Sequence, residues 1–414
     1  MKTLRITAAA LVLLLVAGVA LATGTQETAE PEGAAATAPA PGNETAGITE
    51  DEVLVGSFQA LSGPVAAIGV PVKNGMEAYF NFVNAQGGVN GRQVNLLVAD
   101  DAFDPSRTTV EVKRLVESDG VFALVGGLGT PGNLAIMDYV QEQRVPYVYQ
   151  ASGSGLLTNP PKEYIFGVQP NYTTEGTLMA KYLVEEKGAQ NIAIVYRNLD
   201  DGKELAESVR ESLAEYGQEL VADIAIDPSA QDFSANLIQL NQAQPDAIIV
   251  GLFVPQSANF INQAKELGLT EQNYLLTYSN ADATFVTLAE GQAEGAEAMA
   301  WVDVDFTETE QMLFQIYDAS FPGEIPNAYA VAGMIAAEVF TEGLERAGRD
   351  LTRSGYVDAL ETLDRFTGAI AEGITYTDFG ANDPLSRIGK RSMYVLKVED
   401  GVFAREHGWI FLTE

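Results

Sequence analysis

The chain has 414 residues, no cysteine and a formal net charge of −33, because 57 Asp and Glu residues stand against 24 Lys and Arg residues. The lack of cysteine excludes disulfides, zinc–thiolate sites and thiol nucleophiles, and a chain of this length can bury large cores without them. The single histidine, His407, excludes multi-histidine metal sites, and the negative charge repels nucleic acid and anionic lipid headgroups.

Residues 1–22 predict a cleavable signal peptide. Lys2 and Arg5 precede an apolar or small-residue run over 6–19, and Ala20-Leu21-Ala22 fits a small-x-small cleavage site. A transmembrane span needs roughly 20 apolar residues, so this run is short for a stable anchor. The alternative is a retained N-terminal anchor helix. We expect export to the periplasm or another extracytoplasmic space.

Residues 23–50 predict a disordered linker. They consist mainly of Thr, Ala, Pro, Glu and Gly, with one Ile and no aromatic residue. Such a stretch cannot bury enough apolar surface to offset the entropy lost on ordering.

From Asp51 onward, short runs rich in Val, Ile and Leu alternate with segments at helical spacing. Strands are predicted over 53–58, 94–99, 121–126, 145–149, 191–196, 220–226, 246–251 and 273–277. Helices are predicted between them, over 70–84, 107–117, 133–142, 175–187, 203–216, 233–242 and 257–267. Apolar runs without alternation are typical of strands buried on both faces, so this rhythm predicts parallel sheets covered by helices. It occurs in two blocks, each the size of an ordinary α/β domain.

The C-terminal part has a different pattern. Helices are predicted over 311–320, 327–346 and 351–363. They are followed by an antiparallel pair over 392–398 and 402–411. The turn Glu399-Asp400-Gly401 supplies the positive φ that a tight hairpin needs.

Three loops follow predicted strands of the first block and are small, hydroxyl-bearing and rich in glycine. They are Leu61-Ser62-Gly63-Pro64, residues 126–132 around Thr130, and Gln150-Ala151-Ser152-Gly153-Ser154-Gly155. Ligands of open parallel sheets bind beyond the carboxyl ends of the strands. Backbone N–H groups at a helix start, with hydroxyls beside them, can hold a carboxylate. The alternative is that these loops are only tight turns.

Two other functions receive less support. Residues 127–132 fit Gly-x-Gly-x-x-Gly, but the next strand ends at Gln150-Ala151 without the carboxylate that a dinucleotide site requires, so no cofactor is expected. An enzyme with paired carboxylates stays possible by composition, because acidic pairs such as Asp100-Asp101 are plentiful. The chain has no nucleophile elbow with a usable histidine and no phosphate-binding loop.

Aromatic residues lie near several predicted strand ends. A binding cleft gains from aromatic walls that cover the apolar part of a ligand. Each of these residues can equally belong to a core, and about half are expected to face a cleft: Phe58, Tyr149, Tyr172, Tyr196, Phe253 and Tyr278.

The chain also carries five segments with a recognisable pattern: VGSFQALSGPVAAIG (55–69), NAQGGVNGR (84–92), VADDAFDP (98–105), QPNYTTEG (169–176) and AIVY (193–196). Together they resemble the branched-chain amino-acid type of periplasmic binding protein, the receptor subunit of ATP-driven importers. The resemblance covers the chain from about Asp51 to its end. It implies two Rossmann-like lobes with parallel central sheets, joined by three crossovers, that close on a ligand by a hinge.

Carried over by position, the resemblance implies a ligand site between the lobes. Thr130 matches a hydroxyl that holds the ligand carboxylate, and Ala151, Ser152 and Gly153 match a loop that adds backbone groups and another hydroxyl. Phe253 matches an aromatic residue of the second lobe. Ser279 stands where an acidic residue grips an amino acid's ammonium, and Asp201 stands where an aromatic residue is common. Either Asp201 supplies the counter-charge, or the ligand is not an α-amino acid.

The sequence therefore predicts a monomeric, non-catalytic solute receptor of an ATP-driven importer, without cofactor or metal. Its partners are a carboxylate-bearing small solute (an amino acid or a related organic or aromatic acid or amide) and a membrane permease. Lobe I is predicted over 51–169 and 300–375, and lobe II over 170–299 and 376–414. Ser62 joins Thr130 and Ser152 in lobe I, while Tyr172, Asp201, Phe253 and Tyr278 close from lobe II. The alternative is a sensor of the same fold that reports its ligand to a membrane receptor.

Overall fold

The computed structural model describes residues 43–63, 65–302 and 311–412. The predicted signal peptide, and most of the predicted linker, lie outside these residues. The end of that linker is not disordered, contrary to the prediction. Ala46 is buried, Ile48 forms a bridge with Val53, and the Arg353 amide donates to the Glu44 carbonyl over 2.8 Å. Two apolar side chains were enough to order residues 43–50 against the folded body.

The first half of the chain forms a parallel five-stranded sheet in the order β2-β1-β3-β4-β5. Its strands are β1 (Glu52–Gln59), β2 (Gln93–Asp100), β3 (Ala123–Gly127), β4 (Tyr147–Val148) and β5 (Ile165–Phe166). The helices between them are α1 (Ala66–Ala85), α2 (Pro105–Lys113) and α3 (Thr130–Glu142). Every residue of β3 is buried, as its continuous apolar run predicts.

The second sheet has seven strands in the order β12-β11-β10-β9-β8-β6-β7. They are β6 (Ile192–Arg197), β7 (Ala222–Ile226), β8 (Ala247–Gly251), β9 (Asn273–Leu276), β10 (Glu297–Ala300), β11 (Ser392–Glu399) and β12 (Val402–Phe411). β6 to β10 are parallel, and β11 and β12 add an antiparallel edge. Its helices are α4 (Tyr172–Lys181), α5 (Asp200–Glu215), α6 (Ser234–Ala243), α7 (Val254–Glu266) and α8 (Ala283–Leu288).

Three further helices, α9 (Met312–Ser320), α10 (Ala328–Ala347) and α11 (Arg353–Leu360), lie between β10 and β11. α10 packs closely on α1, and two glycines permit this crossing. A Cβ on Gly75 would lie 1.8 Å from the Ala330 carbonyl oxygen, and one on Gly333 would lie 2.2 Å from the Val72 carbonyl oxygen. These helices therefore complete the layer that covers the five-stranded sheet.

The chain passes between the two sheets three times: after β5, after β10 and before β11. The first and third passages run side by side, because Gly167 forms a parallel bridge with Ile388. The Gly167 amide donates to the Arg387 carbonyl (2.9 Å), and the Gly389 amide donates to the Gly167 carbonyl (2.8 Å). The predicted fold of two parallel-sheet α/β lobes with three crossovers is confirmed. Among the described helices, none has the length and apolar character needed to span a bilayer.

Candidate ligand-binding site

The candidate site lies where loops from the two sheets meet. Asn133, fully buried in the first turn of α3, organises the part that belongs to the five-stranded sheet. Its side-chain amide donates to the carbonyls of Gly127 (2.9 Å), Gly129 (2.9 Å) and Gln150 (2.6 Å). One side chain therefore joins the loop after β3 to the loop after β4. The sequence analysis did not identify Asn133, although an Asn in a predicted apolar helix face was a usable signal.

This junction brings two predicted site residues together. The Thr130 and Ser152 hydroxyl oxygens lie 2.7 Å apart, and both residues are half-buried. Thr130 is the first residue of α3, whose N-cap residue, Gly129, has φ 100° and provides no side-chain cap. The start of α3, where Pro131 has no N–H, thus brings the Thr130 and Gly132 N–H groups beside a pair of hydroxyls, which is a suitable environment for an anionic head group.

Ala151 and Gly153 flank Ser152, and both show why this loop has small residues. Ala151 has φ 39°, in the left-handed region that bulky residues rarely adopt. The Tyr172 amide donates to the Gly153 carbonyl over 2.6 Å. A Cβ on Gly153 would lie 2.5 Å from the Tyr278 hydroxyl and 2.6 Å from the Tyr172 ring. The loop therefore touches the second half of the molecule through a position that has no room for a side chain.

Tyr172 and Tyr278 form the opposing wall. Their rings stack with centroids 6.3 Å apart and planes at 14°. Tyr172 begins α4, and Tyr278 lies in the short 3₁₀ segment Tyr278–Asn280 after β9. The Gln169 amide donates to the Tyr278 hydroxyl over 2.6 Å, and burial raises the pKa of both tyrosine hydroxyls. Both rings are therefore neutral walls that can also offer a hydroxyl.

Asp201 and Phe253 also lie together, through a residue that the sequence analysis missed. Arg197, at the end of β6, donates from Nε to Asp201 Oδ2 over 2.7 Å, and a terminal nitrogen of its guanidinium lies 2.6 Å from the same oxygen as an ion pair. Its guanidinium stacks on the Phe253 ring, 4.3 Å from the centroid. The available signal was a charged residue directly after the apolar run 191–196.

Ser62 is a predicted site residue whose hydrogen bond lies apart from this cluster. It is exposed, and its hydroxyl donates to Asp100 Oδ2 over 2.7 Å. That hydrogen bond is the main reason why the pKa of Asp100 lies below its usual range. Ser62 therefore caps a carboxylate at the end of β2.

Two carboxyls, one half-buried and one fully buried, support the cluster and were not predicted. Glu204 on α5 accepts from the Gly155 amide and from the Ser154 hydroxyl (3.0 Å), which ties α5 to the loop after β4. Glu175 on α4 is fully buried, and its Oε1 accepts from the Tyr278 amide over 2.6 Å. Burial raises the pKa of Glu175 to about 8. Glu175 is therefore mainly neutral at neutral pH.

Tyr329 on α10 adds a contact between the two halves. Its hydroxyl donates to the Ser279 carbonyl over 3.0 Å, and burial raises the pKa of this hydroxyl. The donor lies on a helix that packs on α1, and the acceptor follows β9 of the seven-stranded sheet. No local pattern marked this residue, because its partner lies 50 positions away.

The comparisons with known proteins identify the family. A family model described as a periplasmic binding protein matches residues 52–402. The leucine-specific-binding protein of Salmonella typhimurium is 27% identical over 249 residues, which cover 60% of this chain and 67% of that protein.

Solved structures show the same fold. A leucine-binding protein from Thermotoga maritima superposes with a TM-score of 0.74 at 22% identity, covering 87% of this chain and 99% of that chain. A fatty acid transporter substrate-binding protein from Thermomonospora curvata has a TM-score of 0.77 at 20% identity, covering 90% and 95%. The ligands named for these two neighbours belong to different chemical classes, so the fold alone does not select the solute.

Proposed function

The chain belongs to the periplasmic binding protein family, in its branched-chain amino-acid type, and we propose that it is the extracytoplasmic receptor of an ATP-driven importer. In this role it captures one small solute between two lobes and delivers it to a membrane permease. The relatives described above are solute-binding proteins, which supports capture rather than catalysis. The signal peptide predicted over residues 1–22 supports the extracytoplasmic location.

Lobe I in this proposal comprises residues 51–169 and 300–375, and lobe II comprises 170–299 and 376–414. The separation of β1 to β5 from β6 to β12 into two sheets supports this division, as does the packing of α10 on α1. The solute lies beside the point where Gly153 touches the two tyrosine rings, between Thr130 and Ser152 on one side and Tyr172, Phe253 and Tyr278 on the other.

The solute bears a carboxylate and is an amino acid or a related organic or aromatic acid or amide. The observation that supports this class is the pair of hydroxyls on Thr130 and Ser152, 2.7 Å apart at the start of α3. A carboxylate can accept from the hydroxyl whose hydrogen is not used within this pair, and from the Thr130 and Gly132 N–H groups of the helix start. When the carboxylate replaces the hydrogen bond between the two hydroxyls, it can accept from both.

A thermal-shift screen of the purified mature protein tests the solute class. Amino acids, aromatic acids, short carboxylates, amides and neutral sugars are compared at equal concentration. A ligand at 100 times its dissociation constant adds about 2.7 kcal/mol to the free energy of unfolding. A shift with a carboxylate supports the proposal, whereas a shift with a neutral sugar and none with any carboxylate refutes it.

Thr130→Ala tests the head-group position by titration calorimetry. A hydrogen bond to a charged group is worth about 1.5–3 kcal/mol, so affinity for the carboxylate is expected to fall about 10- to 150-fold. Thr287→Ala is the matched control, because that exposed hydroxyl bonds only the Ala283 carbonyl within α8. Unchanged affinity in Thr130→Ala would remove this hydroxyl from the site.

A further inference from the structure

We propose that the solute of this site carries a carboxylate but no ammonium group. This inference rests on the proposed function, because it concerns the solute of the same site. It arises from the state of the carboxyl groups around the site: one is paired with an arginine, one is kept neutral, and two are held by hydrogen bonds from the protein. An ammonium taken from water into such a place needs a negative partner that the site does not supply.

Asp201 was the sequence-based candidate for that partner, and its charge is already in use. Its Oδ2 accepts a hydrogen bond from Arg197 Nε at 2.7 Å and lies 2.6 Å from a terminal nitrogen of the same guanidinium, and its Oδ1 accepts from the Gly202 amide at 2.8 Å. Arg197 is only 5% exposed, and Asp201 is its one acidic partner among the described residues. Moving Asp201 toward an ammonium would leave a buried guanidinium without a counter-charge, which costs more than the new pair returns.

The other ionisable acids near the site are likewise engaged. Glu204 accepts from the Gly155 amide and the Ser154 hydroxyl. Asp282 accepts from the amide (2.9 Å) and hydroxyl (2.5 Å) of Thr284 as the N-cap of α8. Glu204 is held by donors of the loop after β4 and Asp282 by donors of its own helix start, and each carboxylate would have to exchange these donors for a ligand.

Glu175 is the remaining carboxyl, and it lies behind the aromatic wall. It is one helical turn along α4 from Tyr172, it has no exposed surface, and its Oε2 has no hydrogen-bond partner among the described residues. An ionised Glu175 carboxylate at this buried position, with one oxygen that accepts no hydrogen bond from the described residues, would be costly in free energy. Burial raises its pKa to about 8, so the neutral acid is the main form at neutral pH. A neutral acid does not compensate an ammonium.

Position 279, where the resemblance implies an acid, holds a serine. The Ser279 hydroxyl lies 3.1 Å from the Thr277 hydroxyl, and its carbonyl accepts from Tyr329. The groups left to meet the rest of the solute are the rings of Tyr172, Tyr278 and Phe253. The chemical class that fits is a monocarboxylate with an aliphatic or aromatic tail in which hydrogen replaces the α-ammonium.

Titration calorimetry with matched ligand pairs tests this inference. Leucine is compared with 4-methylpentanoate, and phenylalanine with 3-phenylpropanoate, because each pair shares its carbon skeleton and carboxylate and differs only in the ammonium. We expect the acid without the ammonium to bind at least about 100-fold more tightly in one pair, since an uncompensated buried charge costs several factors of ten in affinity.

A gain-of-function variant provides a second readout. Ser279→Glu adds the missing negative charge, and we expect it to raise leucine affinity at least about 10-fold and to lower that for 4-methylpentanoate. Ser106→Glu is the control, because it adds the same charge at an exposed position in the first turn of α2. If Ser279→Glu does not fold, the comparison within each ligand pair on the unmodified protein still shows whether the site accepts an ammonium.

The outcomes separate the two proposals. Leucine or phenylalanine binding as tightly as, or more tightly than, its partner acid overturns the present inference and leaves the carboxylate receptor standing. Binding of neither member of either pair, with a clear response to a neutral sugar, refutes the carboxylate receptor and this inference with it.

Discussion

Glu175→Gln tests whether the carboxyl behind the aromatic wall is held neutral by burial. The groups that face it are the Tyr278 amide, which donates to Oε1, and the Arg197 guanidinium, whose charge offsets only part of the burial penalty. The ordinary pKa of 4.5 applies in the unfolded chain, and the pKa in the fold is about 8. Between these values only the unfolded chain releases the proton, so stability falls as the pH rises. The contribution of Glu175 is complete below pH 4.5 and is lost by about pH 8.

The magnitude follows from the two pKa values. Each pH unit between them costs about 1.36 kcal/mol, which gives about 4 kcal/mol between about pH 5 and about pH 8. The glutamine side chain of the variant keeps an oxygen for the Tyr278 amide and does not titrate. The free energy of unfolding of the variant, minus that of the unmodified protein, should therefore rise by this amount across the range.

Urea unfolding of both proteins at several pH values, followed by circular dichroism, measures this difference. Other titrating groups cancel, because they are shared. Glu211→Gln is the control, since it removes a carboxyl from an exposed position on α5, and its difference should stay flat. A flat difference for Glu175→Gln as well would show that Glu175 is ionised in the fold, and it would remove one support of the ammonium-free solute.

Two further substitutions test how the two halves meet. Gly153→Ala places a Cβ 2.5 Å from the Tyr278 hydroxyl, so calorimetry should show that solute affinity falls at least about 10-fold. Gly408→Ala is the control, because a Cβ there meets open space and should leave the affinity unchanged. Equal affinity in the two variants would contradict the contact between Gly153 and Tyr278. Tyr329→Phe removes the hydrogen bond to the Ser279 carbonyl, worth about 1 kcal/mol, so affinity should fall about 5-fold. Tyr139→Phe, which loses a hydroxyl bonded to Glu117 over 2.9 Å, is its control, and a loss of the same size there would refute a closing role for Tyr329.

The sheets could be predicted from sequence because their strands are buried on both faces. β6 and β8 have no exposed residue, and each appears in the sequence as an unbroken apolar run. β5 was missed, since two residues carry no period, and α8 was missed because its six residues span less than two turns. β4 is as short as β5 and was predicted because it lies in the run 145–149, so a short element can be predicted only where neighbouring residues extend its pattern.

The side of the candidate site built from loops of small residues had a local signature in the sequence, whereas the opposite side was predicted from aromatic residues near strand ends and from the family resemblance. Glycine, serine and threonine after a strand leave a local signature, and this signature identified Thr130, Ser152 and Gly153. Arg197 and Asp201 are four apart, yet one ends β6 and the other lies in the first turn of α5, so the helical i,i+4 rule did not apply to them. Their pairing depends on the turn between strand and helix, which the sequence does not specify.

A chain of net charge −33 can bind an anionic solute, because the repulsion by surface charges and the attraction by hydrogen bonds in the site act over different distances. Exposed surface charges are screened beyond about 8 Å at physiological ionic strength, so the acidic surface mainly slows the encounter with an anion. Inside the closed loops the dielectric is lower, and hydrogen bonds from Thr130, Ser152 and the start of α3 act at full strength. The same low dielectric makes any uncompensated charge expensive, which is why Asp201 is paired with Arg197 and Glu175 holds its proton. Two acids beside the site are thus paired or protonated, and the donors at Thr130, Ser152 and the start of α3 are the groups that meet the negative head group of the solute.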